Sequence, residues 1–171
     1  MYIYIYDDFL RKKEHDQTMK SIETRLTDFG IAGKIVRLLP FTNAQAVIEE
    51  EMKRGASVIV IVGNDHTFGH VLSRSAHLNI LFGFLPVGSV DNTIADVLGI
   101  PLGVDACDVL SKRRKVSLDV GWVNNRYFVS QLHIPSHNIK VNYDEQFSVV
   151  ADRTSMELVV CNLQPFFWKE S

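Results

Sequence analysis

Ser57 to Thr67 reads SVIVIVGNDHT, a run of β-branched residues from Val58 to Val62 that stops at a glycine and ends in a short polar turn. Five such residues in a row show no alternation. That is the pattern of a parallel strand covered on both faces, not of a strand with one wet side. Helical residues follow. In an open α/β sheet, ligands sit at the turn on the carboxyl end of such a strand, because the next helix begins there with unpaired N–H groups. Gly63 to Thr67 is therefore the first place to look for a site. Ile80 to Val87 (ILFGFLPV) has the same form and runs into Gly88-Ser89-Val90-Asp91-Asn92, then on to Leu98-Gly99-Ile100-Pro101. Two glycine-led turns are expected on one rim of one sheet.

The flanking chain supports this sheet. Met1 to Tyr6 alternates Tyr and Ile and is expected to be the first strand, ending at Asp7-Asp8. Met19, Ile22, Leu26 and Phe29 fall at helical spacing with Gly30 as a stop. Lys34 to Leu39 is a second strand, broken by Pro40. Asn43 caps a helix over Ala44 to Arg54, with Ala46, Val47, Ile48 and Met52 on or near its buried face and Gly55 closing it. After the central strand come a helix over Phe68 to Ala76, a strand over Ile80 to Val87, and short helices over Thr93 to Leu98 and Asp105 to Ser111. This alternation predicts a doubly wound, mostly parallel, Rossmann-like α/β sheet.

Beyond Lys115 the pattern changes to short strands: Val116 to Val120, Arg126 to Ser130, Ile139 to Tyr143, Phe147 to Ala151 and Met156 to Val160. The Asn124-Asn125 pair suits a hairpin turn. The expected division is an α/β domain over 1–115 and a short antiparallel β unit over 116–171. So few strands leave sheet edges that need cover, either as a flap on the first domain or by pairing with a second copy of the chain.

Composition narrows the class. The 171 residues are 46% hydrophobic and 22% charged, ordinary for a globular chain with a real core. A net charge of −2 gives no reason to expect a nucleic-acid partner. Cys107 and Cys161 are isolated and no leader-like segment begins the chain, which points to a reducing cytoplasm. No apolar run approaches the roughly 20 residues of a spanning helix, so any membrane contact is expected to be peripheral.

Gly63-Asn64-Asp65-His66-Thr67 resembles the GGDGT motif of the diacylglycerol kinase catalytic domain family, which takes in bacterial lipid kinases and sphingosine kinases, with NAD kinases as more distant relatives. Pro86-Val87-Gly88-Ser89-Val90-Asp91-Asn92 with Leu98-Gly99-Ile100-Pro101 is similar to that family's P-x-GT-x-N-D/N … LGIP motif. Ser117 to Gly121 with Asn124 to Phe128 is similar to its "idlg..ngryF" strand pair. The resemblance implies ATP and Mg2+ as cofactors and a lipid hydroxyl as acceptor. It places Gly63, Asn64, His66, Thr67, Gly88, Ser89, Asp91 and Asn92 around the phosphates, and Asp65 in the catalytic, metal-holding position. Three departures stand out. Two motif glycines are replaced by Asn64 and His66, Tyr6-Asp7-Asp8-Phe9 replaces the family's N-P-x-S/A-G segment, and the family's late general base has no counterpart here.

Each residue also has a plainer reading. Asn and His are among the non-glycine residues found most often at positive φ, so the loop can keep its shape. His66 then either binds phosphate or fills a site that has lost its substrate. Asp65 binds a hard cation, or caps the helix after it; Thr67 caps or touches phosphate. His66, His70 and His77 share a helical face, where they are either metal ligands or exposed side chains. Lys112-Arg113-Arg114-Lys115 either attracts anionic headgroups or is a solvated helix end. Phe166-Phe167-Trp168 dips into a lipid interface or partner groove, or packs on its own domain.

Three functions follow. The first is an ATP-dependent lipid-kinase-like domain, since phosphoryl transfer needs mainly positioning and charge neutralisation. The second is a degenerate, non-catalytic nucleotide- or phosphoester-binding domain. The third is a phospho-accepting receiver built on Asp7-Asp8, Asp65 and Ser89, weakened by Lys115 preceding the fifth strand instead of ending it. No Gly-rich turn follows the first strand, which sets a Rossmann dehydrogenase aside.

Overall fold

The computed structural model describes residues 1–88, 92–135, 139–151 and 157–163. They form two compact units, Met1–Val129 and Ser130–Ser171. The first is built on a four-stranded parallel sheet of β1 (Tyr2–Asp7), β2 (Lys34–Leu38), β3 (Val58–Gly63) and β4 (Leu81–Pro86), in the order β2-β1-β3-β4. Helices α1 (Asp16–Asp28), α2 (Ala44–Lys53), α3 (Asp65–Ser75), α4 (Thr93–Val97) and α5 (Ala106–Ser111) complete the α/β alternation.

Ile59, Val60, Ile61 and Val62 of β3 are each wholly buried, as the unalternating run requires. On β1 both the Ile and the Tyr sets are buried, because the strand lies between β2 and β3 with a cover on each face. Burying tyrosine strands a hydroxyl unless a partner is found. Tyr4 donates to the Ile31 carbonyl and Tyr6 to Glu23 of α1 at 3.3 Å. Tyr4, Tyr6, Val60, Val62 and Leu85 pack with Met19, Ile22 and Leu26 of α1 and with Ala106 and Cys107 of α5. The alternate residues, Ile3, Ile5, Ile59, Ile61 and Phe84, are buried on the other face, where Phe84 meets Phe68 of α3 at 4.5 Å.

On α2 the inner face differs from expectation. Ala46 is exposed, Val47 and Met52 are half-buried, and the buried positions are Ala44, Ile48 and Glu51. Glu51 is 4% exposed because two cations reach it. Lys34 Nζ of edge strand β2 lies 2.6 Å from its Oε1, and Arg54 Nη1 lies 3.0 Å from the same atom. This cluster ties α2 to β2 at the amino end of the sheet, away from the glycine turns.

One further expectation needs correction. Val116 to Val120 is not a strand. The strand that enters the hairpin is β5 (Gly121–Val123), paired with β6 (Arg126–Phe128). Asn124 and Asn125 at φ 44° and 66° make a two-residue turn that sets Val123 against Arg126, and the ladder ends at Gly121–Phe128, short of residues 116–120. The β5–β6 hairpin falls within the first compact unit, where β6 packs on α3 and His77 stacks on Tyr127 at 6.0 Å. In the second unit β7 (Gln131–Pro135) pairs antiparallel with β10 (Glu157–Cys161), and β8 (Ile139–Tyr143) with β9 (Phe147–Ala151). Met156 and the Phe166-Phe167-Trp168 triplet lie outside the described residues.

Hydrogen bonding to Lys34, strengthened by the charges of Lys34 and Arg54, holds the Glu51 carboxyl below its ordinary value despite burial. The native state therefore binds fewer protons than the unfolded chain in the acid range. The stabilisation is complete at neutral pH and is lost as pH falls through the folded-state pKa. Glu51→Gln is expected to cost about 1–3 kcal/mol at neutral pH. The gap to the parent closes below the ordinary Glu value of about 4.3, as denaturant melts across that window will read. Burial, and then the nearby Asp108 charge, push the Cys107 thiol up to about 11. Ellman's reagent should accordingly label exposed Cys161 in the native chain and Cys107 only on unfolding.

Candidate functional site

The strand order reverses direction between β1 and β3, so the crevice at their carboxyl ends is the switch point of the sheet. Gly63 of β3 stands in register with Pro86 of β4, and the Val87 N–H donates to the Gly63 carbonyl at 2.8 Å. The turns beginning at Gly63 and Gly88 therefore lie side by side on one rim.

Helix α3 starts three residues earlier than its apolar spacing indicates, at Asp65 instead of Phe68. The cause is Asn64. Its backbone is extended, φ −104° and ψ −175°, and its Oδ1 accepts the Thr67 N–H at 3.1 Å, a helix N-cap. Asp65, His66 and Thr67 consequently form the first helical turn. Neither Asn64 nor His66 is at positive φ, so the expectation that they are tolerated for that reason is replaced by a simpler one: the turn does not call for it.

Thr67 points inward and is 1% exposed. Its Oγ1 donates to Asp7 Oδ2 at 2.6 Å, and it lies 3.0 Å from Asn64 Oδ1. Asp7 ends β1, and its Oδ1 accepts the Phe9 N–H at 3.0 Å. One carboxylate thus joins the two strand ends across the switch point. Gly63 is shaped by the same contact: a Cβ there would stand 2.6 Å from Thr67 Oγ1 and 2.9 Å from Thr67 Cβ. Gly88 is required for a different reason, its φ of +115°.

Asp65 couples the two turns. It does not cap its own helix; its Oδ2 accepts the Ile94 N–H in the first turn of α4 at 2.7 Å. The place is open to it because Asn92, at the N-cap position of α4, turns its amide back to the Gly88 carbonyl at 3.1 Å and makes no side-chain cap. His66 is exposed, its ring parallel to that of His70 with centroids 6.4 Å apart. His77 belongs to a separate stack on Tyr127. No cluster of three or more His, Cys, Asp or Glu suited to a metal ion occurs among the described residues. Ser89 and Asp91 lie outside them. Among the expected site residues, Gly63, Asn64, Asp65, Thr67, Gly88 and Asn92 are brought together on one rim, with His66 on the outer side of α3. In the sequence Asp7 stands only as part of the segment that departs from the family motif and as a phospho-acceptor; no local signal marks it as a strut.

The class is thus an open parallel α/β domain with coupled turns at its switch point. The sequence profile of the diacylglycerol kinase catalytic domain matches residues 2–123. A diacylglycerol kinase from Staphylococcus haemolyticus (strain JCSC1435) is 26% identical over 129 residues, which is 74% of this chain and 39% of that protein. A solved diacylglycerol kinase from Bacillus anthracis str. Sterne superposes with a TM-score of 0.67 at 19% identity, over 78% of this chain and 47% of that one. A further structure from that strain gives 0.66 at the same identity, over 78% and 48%. The chain belongs to the diacylglycerol kinase catalytic domain family, and it spans less than half the length of these relatives. No helix among the described residues is long and apolar enough to cross a membrane.

Gly63→Ala should displace Thr67 and break its bond to Asp7, at a cost of about 1–3 kcal/mol. Each kcal/mol lowers the melting temperature of a chain this size by roughly 2–4 °C. Thr67→Ala removes the clashing hydroxyl, so the double variant should lose less than the two single losses added together.

Proposed function

We propose that the rim formed by the Gly63 and Gly88 turns binds the phosphates of ATP with Mg2+, and that the domain serves transfer of the γ-phosphoryl group to a lipid hydroxyl. The observation that carries this is the coupling of the two turns by Asp65. It holds the start of α4 against the start of α3, so that two turns of the family's kind open on one rim. Gly88 presents backbone with no side chain, and a Cβ there would meet only the edge of the Phe9 ring at 3.9 Å. The amino end of α3, eleven residues long, contributes its dipole to an anion at the same rim.

The residues fit the cofactor with one condition. Asp65 is the carboxylate in place for Mg2+, and an ion there keeps waters and phosphate oxygens as its other ligands. When bound, Mg2+ supplies neutralisation of charge on the transferring phosphoryl group. The chain's own part is orientation. Asn64 and Thr67 hold the α3 turn, Asp7 holds Thr67, and Asn92 holds Gly88. None of these side chains is placed to take a proton from an acceptor hydroxyl. In a degenerate binding domain, Asp65 and Asp7 would serve as struts alone.

Calorimetric titration with ATP and Mg2+ tests the reading. The parent chain should bind, Asp65→Asn should weaken binding about tenfold or more through loss of the hard-cation ligand, and His66→Gly should bind as the parent does. No binding to the parent or to His66→Gly at millimolar ATP would sink the nucleotide site. Radiolabel transfer from ATP to diacylglycerol separates an enzyme from a binder.

A further inference from the structure

A second concave site lies on the same compact unit, away from the rim. The β5–β6 hairpin overhangs the last turn of α3 and leaves a cavity of about 580 Å³ lined by Arg74, His77, Trp122, Asn125, Arg126 and Tyr127, among others. Arg74 is nine residues along α3 from Asp65, about 14 Å at the helical rise, so the cavity is separate from the phosphate turns.

Its chemistry is one-sided. Two guanidiniums and an imidazole line it and no carboxylate does, in a chain whose net charge is −2. Arg74 and Arg126 have no acidic partner among the described residues, whereas Arg11 and Arg25 each pair with one and Arg54 with two. The cavity beside Tyr6 shows the contrast: there Arg11, Lys20 and Arg37 are offset by Asp16 and Glu23. The cationic wall is also held in shape. His77 stacks on Tyr127, which fixes the hairpin to the end of α3, and the Asn124-Asn125 turn with both residues at positive φ sets where Arg126 leaves the strand.

We propose that this cavity binds a phosphate monoester. Two forked guanidiniums, an imidazole and the side-chain amides of Asn124 and Asn125 offer more donors than the two oxygens of a carboxylate accept. They suit three terminal oxygens carrying a charge of about −1.5 to −2. Trp122 and Tyr127 give the carrier of the phosphate a flat apolar wall. The phosphate comes from a soluble ester or from a lipid headgroup, and the two are separated by experiment.

The chain holds two tryptophans, so Trp168→Phe leaves Trp122 as the single reporter inside the cavity. Its fluorescence is followed against glycerol 3-phosphate, and against phosphatidylcholine vesicles containing either phosphatidic acid or phosphatidylserine. A response to glycerol 3-phosphate supports a soluble ligand. A response to phosphatidic acid vesicles, stronger than to phosphatidylserine vesicles, supports a lipid headgroup. Either response should weaken about tenfold or more in Arg74→Gln/Arg126→Gln, which removes both forks, while Lys112→Gln/Arg114→Gln leaves it unchanged. Unaltered thermal melts show that each variant is folded. No response to any probe, equal response to both vesicles without one to glycerol 3-phosphate, or an equal response by the Arg74/Arg126 variant overturns the proposal.

Discussion

The Thr67 hydroxyl sits between the ends of the two central strands and donates to the carboxylate that terminates β1. Sixty residues of sequence separate these groups, and their meeting depends on β1 and β3 being neighbours in register. The same hydroxyl occupies the space that a Cβ on Gly63 would need. That glycine is therefore kept for room, whereas Gly88 is kept for its backbone angle. With Asn64 capping and Thr67 seated, α3 begins at Asp65, and the Asp65 carboxylate reaches the start of α4. The shape of the rim follows from one buried hydroxyl and the carboxylate that accepts from it.

The two ends of the sheet use charge differently. At the amino end Glu51 is buried against Lys34 and Arg54, an ion cluster that fastens a helix to an edge strand. At the carboxyl end Asp7 and Asp65 accept from a hydroxyl and from backbone amides, and so set the geometry of two turns. Under the proposed function, carboxylates held this way place negative charge beside the bound phosphates, and a divalent cation at Asp65 would be the physical means of reconciling the two.

Much of the fold was legible in the sequence. An unbroken β-branched run, glycines at strand ends and helical spacing of Met19, Ile22 and Leu26 are local signals, and they are read correctly because burial on both faces leaves little freedom in the pattern. The differences fall where a partner or a cap that apolar spacing does not register decides the outcome. Ala46 looked apolar enough to face inward, yet Glu51 took the buried place, because Lys34 and Arg54 neutralise it there. Val116 to Val120 alternates like a strand but has no ladder: the pairing set by the Asn124-Asn125 turn runs only from Val123–Arg126 to Gly121–Phe128. The onset of α3 was placed late because Asn64 was judged as a substitute for glycine instead of as a cap.

By itself the sequence determined the parallel α/β class, the order of the elements, the two glycine turns on one rim and kinship with the diacylglycerol kinases, since each rests on residues close together along the chain. Tertiary structure alone decided that Asp7 would be a strut, that Asp65 would cap a helix other than its own, and that Arg74 and Arg126 would meet in one cavity. Those pairings join residues tens of positions apart, and a side chain's partner is set by where the backbone brings it, which no local pattern encodes.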